Sequence, residues 1–79
     1  MRVVKEVPYP DVKITIFNWN NKYLVKLEQG LLEQTFKISE LDVTSDEDIQ
    51  IMLDDNFMQS ALTRFKDMQQ SLILAMGNI

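Results

Sequence analysis

The sequence predicts an α+β fold: an antiparallel β-meander of three to four strands, then a short helix, then a long C-terminal helix packed on one sheet face. Three observations predict it. Apolar and polar residues alternate with period two from 11 to 38, as half-buried strands do. Two short polar breaks, Asn20-Asn21 and Gln29-Gly30, interrupt the alternation where hairpin turns belong. Beyond residue 44 the apolar spacing becomes that of a helix.

The chain opens with a short run, 2–7, that suits an additional N-terminal strand. Pro8-Tyr9-Pro10 follows. It lacks two backbone donors, so it marks a turn or a sheet edge. From 11 to 19, Val12, Ile14 and Ile16 point one way, and Lys13, Thr15, Phe17 and Trp19 the other. Asn20-Asn21 tolerates the positive φ that a type I′ turn needs at both central positions. With those two residues as the loop, Ile16 faces Val25 and Ile14 faces Leu27. On the other face Lys13 meets Glu28, Phe17 meets Leu24, and Trp19 meets Lys22. Such pairs contribute roughly 0.2–1 kcal/mol each, and a slip of one residue would turn the apolar set outward.

Gln29-Gly30 is the second break. As a two-residue loop it sets Leu27 opposite Leu32, Tyr23 opposite Phe36 and Lys26 opposite Glu33. Two pairs then fit poorly: Val25 with Gln34 and Lys22 with Lys37. A longer loop is the alternative, because Gln is a poor residue for positive φ. The segment 39–43 reads as a connector with Leu41 and Val43 turned inward.

Thr44-x-x-Glu47 and Ser45-x-x-Asp48 both fit a capping box, and Asp46, Glu47 and Asp48 suit the positive end of a helix dipole. Ile49, Met52 and Leu53 share one helical face, but Phe57, Ala61, Phe65, Met68 and Leu72 share another. The stripe jumps across Asp54-Asp55-Asn56, three cap-favouring residues. The spacing therefore predicts a short helix over 46–53 and a long one over 55–76. One curved helix is the alternative. Gly77 is a natural stop. The long helix is expected on the sheet face of Val12, Ile14, Ile16, Tyr23, Val25, Leu27, Leu32, Phe36 and Ile38.

With 79 residues, one domain spanning 1–79 is expected. There is no Cys and no His, and Gly occurs only at 30 and 77. The usual zinc ligands, the neutral-pH base of Ser-His or Cys-His catalysis, and a phosphate-cradling glycine loop are all missing. Neither a signal-peptide run nor a stretch of about 20 apolar residues occurs, so a cytoplasmic protein is expected. The net charge of −4 is uneven. Residues 1–38 carry six bases and four acids, and residues 39–79 carry two bases and eight acids.

Four features are candidates for function. The first is the sheet face with Phe17, Trp19, Lys22, Leu24, Lys26 and Lys37, joined by Lys13. Aromatics that stack bases beside lysines that follow phosphate suit single-stranded nucleic acid. The competing reading buries Phe17, Trp19 and Leu24 under a partner subunit or the N-terminal strand, with lysines at the rim. The second is the acidic segment 40–55. Asp42, Thr44, Asp46 and Asp48 match alternate positions of a calcium loop, but Glu47 stands where Gly is needed and Leu53 where a bidentate Glu is needed. Helix capping explains it better. The third, a catalytic pair of carboxylates, finds no support, because the acids crowd one stretch. The fourth is the helix end, where Leu72, Ile73, Leu74, Ala75 and Met76 are apolar on every side. A helix apolar all round is buried all round, and in so small a chain the simplest cover is a second copy. The competing reading packs Ile73 and Leu74 against the N-terminal strand or the 39–43 connector.

The stretches Thr35-Phe36-Lys37-Ile38-Ser39-Glu40-Leu41 and Phe65-Lys66-Asp67-Met68-Gln69-Gln70-Ser71-Leu72 bound a half of the chain that resembles small bacterial proteins with no assigned activity. In architecture, strands followed by one long helix resembles the Whirly and PUR types of single-stranded nucleic-acid binders. That resemblance implies pairing of two such units into a dimer. It carries no motif residue across.

The sequence thus predicts a non-enzymatic interaction domain. It acts as a homodimer through Leu72, Ile73, Leu74 and Met76, and a separate protein partner is open to it. Single-stranded nucleic-acid binding is the alternative. No catalytic, cofactor or metal residue is expected, and no membrane contact.

Overall fold

The computed structural model describes residues 1–79. Strands β1 (Arg2–Val7), β2 (Lys13–Trp19), β3 (Lys22–Gln29) and β4 (Leu32–Ser39) form one antiparallel sheet in the order β1-β2-β3-β4. A 3-10 turn over Glu40–Asp42 leads to α1 (Asp46–Met52) and then α2 (Asp55–Met76). The expected fold class, a four-stranded meander then a short and a long helix, is what the chain adopts.

Turn chemistry sets the strand registers. Asn20 and Asn21 both have positive φ, 56° and 63°, so a type I′ turn closes β2 on β3. The pairs Ile16–Val25, Ile14–Leu27, Lys13–Glu28, Phe17–Leu24 and Trp19–Lys22 all form as the sequence indicates. The next hairpin differs. Gln29 pairs with Leu32, so Gly30 and Leu31 are the loop. Gly30 has φ +59° and Leu31 does not share it. Gly at the first central position alone is the type II′ requirement. The expected loop, Gln29-Gly30, would have forced Gln into positive φ.

The register therefore moves by two residues. Tyr23 faces Ile38 rather than Phe36, Leu27 faces Gln34, and Lys26 faces Thr35. The two poor pairings disappear: Val25 meets Phe36, and Lys22 meets Ser39. Because the strand period is two, the shift leaves every side chain on its expected face.

The core lies between the sheet and the helices. Val12, Ile14, Ile16, Tyr23, Val25 and Leu27 are buried against Ile49 of α1 and Met58, Ala61 and Phe65 of α2. Leu32, Phe36 and Ile38 pack at its margin. Gln34 shares this face and is buried. Its amide donates to the Ala61 carbonyl at 2.9 Å and accepts from Arg64 Nε at 2.8 Å, which satisfies a polar group that would otherwise cost stability.

The break between α1 and α2 falls at Leu53-Asp54, so two helices form rather than one. Asp54 caps α2, its carboxylate accepting from Phe57 N at 2.8 Å. Ser45 caps α1 in backbone geometry but makes no side-chain cap bond. Instead the Asp48 carboxylate reaches back to accept from Thr44, backbone and hydroxyl. In the connector Val43 packs on the core but Leu41 is exposed, contrary to expectation. Ser39 Oγ accepts from Leu41 N and starts the 3-10 turn, which aims Leu41 at solvent. At its far end α2 stops at Gly77, whose φ of −65° is helical rather than left-handed.

Candidate interaction surfaces

Helices cover one face of the sheet and leave the other free. On the free face, register places Phe17, Leu24 and Lys37 in one row, and Trp19, Lys22 and Ser39 in the next. Lys26 lies between Thr15 and Thr35. The six residues singled out from the sequence thus occupy one surface. Trp19 is 51 % exposed, Phe17 and Leu24 are half-buried, and Lys22 and Lys37 are exposed. The N-terminal strand does not cover them. β1 extends the sheet beside β2, with Val3 next to Phe17 and a bulge between Val3 and Lys5.

Acids interleave with the lysines here. Glu6 lies beside Thr15, Glu28 is opposite Lys13, and Glu33 is opposite Glu28. Lys26 bridges both Glu28 and Glu33, at 3.9 and 3.5 Å. Phosphate tracking rests on local positive potential, and this face mixes signs. The alternation in the sequence already held this signal, since Glu28 and Glu33 share the phase of Lys13 and Lys37.

The second surface is the end of α2. The helix runs antiparallel to β4: Phe57 stacks edge-on to Phe36 with centroids 5.4 Å apart, and Ala61 sits over Gln34. Twenty-two residues make a helix of about 33 Å. An eight-residue strand spans about 26 Å. The last turns of α2 therefore pass the β3–β4 turn, and the molecule reaches 45 Å in length. Leu72, Ile73, Leu74 and Met76 are 47, 61, 71 and 56 % exposed. Neither the connector nor β1 covers Ile73 or Leu74. Leu31, at the tip of the turn, is exposed beside them.

Four of the seven acids in the acidic segment are engaged by hydrogen bonds within the chain. The Asp46 carboxylate accepts from the Tyr23 hydroxyl, and Glu40 accepts from Asn18 Nδ2 at 2.6 Å. Asp48 holds Thr44, and Asp54 caps α2. No three carboxylates converge. The hydrogen bond to Asp46, then burial, then the charges of Asp46 and Glu40 hold the Tyr23 hydroxyl above the usual tyrosine range, and Asn18 opposes them. The hydrogen bonds from Thr44 hold the Asp48 carboxyl below the usual range, against a smaller opposing effect of burial.

A raised pKa in the folded chain stabilises it fully below the unfolded value and is lost as pH rises through the folded value. The Tyr23–Asp46 tie should therefore weaken above about pH 10, the ordinary tyrosine value. Urea midpoints measured from pH 7 to 11 are expected to fall at the alkaline end, and Tyr23→Phe to flatten that fall. An equal slope in both proteins would remove Tyr23 as the cause. Asp48 has the opposite sign, its contribution being lost in acid as pH falls through its lowered value.

No helix is long and apolar enough to cross a membrane. Comparison with family models, with curated proteins and with solved structures finds no match to this chain.

Proposed function

We propose that this chain is a non-enzymatic interaction domain that works as a homodimer. The observation that carries the reading is the uncovered end of α2. Leu31, Leu72, Ile73, Leu74, Met76 and Ile79 lie at one end of the molecule and are each about half exposed or more. Exposed apolar residues gathered at one end of so small a chain favour cover by a second chain. The lack of His and Cys and the hydrogen bonds that tie up Asp46 and Asp48 support a role without catalysis.

Light scattering across a dilution series tests it. A mass of two chains at micromolar concentration, falling toward one on dilution, is expected. A single-chain mass at every concentration would overturn the reading.

A second reading has one observation in its favour: Trp19 is half exposed with Lys22 directly across from it, an arrangement that suits stacking on a single-stranded base. Mixed-sequence oligonucleotides at low salt, read by Trp19 fluorescence, separate the two. Quenching that fades with added salt supports the nucleic-acid reading. Unchanged emission together with no mobility shift removes it.

A further inference from the structure

We propose that two copies join edge to edge through β4, antiparallel about a two-fold axis at Thr35, so that the two four-stranded sheets become one. The inference rests on the homodimer reading and specifies which surface makes the pair.

β4 is a free edge of the sheet. Gln29 and Leu32 close the two-residue turn, and in such a hairpin that pair exchanges both hydrogen bonds. Alternation along the strand then turns the N–H and C=O of Leu32, Gln34, Phe36 and Ile38 toward β3. Those of Glu33, Thr35 and Lys37 point out of the sheet. Free edges are commonly blunted by bulges, prolines or charges. The other edge, β1, has a bulge and runs into Pro8. β4 has eight residues, no proline and no register shift.

Charge selects the register. Antiparallel self-pairing must set outward-turned residues of one copy against those of the other. Centred on Glu33, it opposes two glutamates. Centred on Lys37, it opposes two lysines. Centred on Gln34 or Phe36, it sets neither charge against its opposite. Only Thr35 as the centre places Glu33 opposite the partner's Lys37, and Lys37 opposite the partner's Glu33, with the two threonines facing at the axis. Opposite charges and paired threonines are both favourable cross-strand neighbours. Glu33 then lies between Lys26 of its own chain, 3.5 Å away, and the partner's Lys37. Arg64 stays on the helix side, held by Gln34 and stacked over Phe36, and keeps its charge out of these rows.

The same register accounts for the apolar surfaces. On the helix side it sets Leu32 opposite the partner's Ile38. Beside Ile38 is an apolar cavity of about 160 Å³ between β4 and the α1–α2 junction, lined by Val25, Phe36, Ile49, Leu53 and Phe57. Because α2 runs antiparallel to β4 and overshoots Leu32, its end is carried past the partner's Ile38. It then reaches the partner's α1 and 3-10 turn, where Leu41, Ile51 and Met52 are exposed in the single chain. Two patches that are uncovered separately cover each other.

Four variants of the full chain and one exchange measurement test the proposal. Glu33→Lys alone and Lys37→Glu alone each set like charges opposite, and each is expected to raise the dimer dissociation constant about tenfold or more. The double exchange, Glu33→Lys with Lys37→Glu, is expected to recover most of the loss. Thr35→Pro removes an outward N–H and the exposed hydroxyl that donates to Glu33, but no bond to β3, so circular dichroism should stay native while light scattering shows a monomer. In the wild-type chain, the amides of Thr35 and Lys37 should be protected from hydrogen exchange at high concentration and lose protection on dilution. A dimer that keeps its affinity in all variants, with Thr35 and Lys37 amides exchanging freely, overturns edge pairing and leaves the homodimer reading standing. A wild-type monomer at all concentrations overturns both.

Discussion

Replacing Phe65 with alanine is expected to remove a large part of the chain's folding stability. Phe65 is the largest fully buried side chain and is 1 % exposed. It stands at the middle of α2, where the helix stripe of Met58, Ala61 and Phe65 meets Ile14, Ile16, Val25 and Leu27 of the sheet. Truncating a buried Phe costs about 3–5 kcal/mol, as lost transfer energy plus the cavity left behind. A chain of 79 residues has a total stability of roughly 4–12 kcal/mol. The loss is therefore a large fraction of the whole. Only ten apolar residues are buried, so little neighbouring mass is available to refill the hole. Urea unfolding by circular dichroism reads the effect as a lower midpoint at unchanged slope. Wild type and variant must be compared at equal protein concentration, because association adds to apparent stability. A loss below about 1 kcal/mol would mean that α2 is not seated as described.

That core could be read from the sequence because its determinants are local. Period-two alternation assigns strand faces, and a period near 3.6 assigns the helix stripe. Asn20-Asn21 specifies its hairpin fully, since a type I′ turn needs positive φ at two successive positions and both residues accept it. Gly30 is less decisive. A single glycine serves as the second residue of one two-residue loop or the first of another, and the choice moves β4 by two. The mismatched pairs Val25–Gln34 and Lys22–Lys37 mark the Gln29-Gly30 loop as the unfavourable one. Moving the loop to Gly30-Leu31 removes both.

What could not be read depends on distant contacts. Gln34 fits a buried position only because Ala61 and Arg64 arrive from a helix 27 and 30 residues away. Strand alternation turns Thr15 outward and it does lie on the free face, yet it is 5 % exposed. It sits between Glu6 and Lys26 in the ladder, whose long side chains flank it. Leu41 is the local exception: the sequence places it inside, and the hydrogen bond from its N–H to Ser39 Oγ, at 3.2 Å, sends it outside. For the candidate surfaces, the sequence grouped the free-face residues correctly because face follows from period. It did not reveal that α2 outruns the sheet. That follows from comparing a helix length with a strand length, and from knowing where along the sheet the helix begins.

Leu72→Ser combined with Met76→Ser is expected to abolish the homodimer while leaving the single chain as stable as before. At 3.6 residues per turn, Leu72 and Met76 continue the stripe of Phe65 and Met68. They face the sheet side of α2 beyond the point where the sheet ends, and both are about half exposed in the single chain. Polar replacements at exposed positions change monomer stability by within about 0.5 kcal/mol. Their cost falls on association: each buried apolar side chain contributes about 1.5–3 kcal/mol, and a two-fold pair buries every residue twice. The dissociation constant should rise by at least a hundredfold, about 2.8 kcal/mol. Leu74 supplies the control. It is as apolar and more exposed, at 71 %, but lies on the opposite side of the helix from Leu72. If hydrophobicity of the helix end as a whole drives pairing, Leu74→Ser weakens the dimer as much as the double variant does. If the continued core stripe drives it, Leu74→Ser leaves the dimer nearly intact. Sedimentation of the three proteins over one concentration range distinguishes these outcomes, and a dimer unchanged in all three would place the contact away from α2.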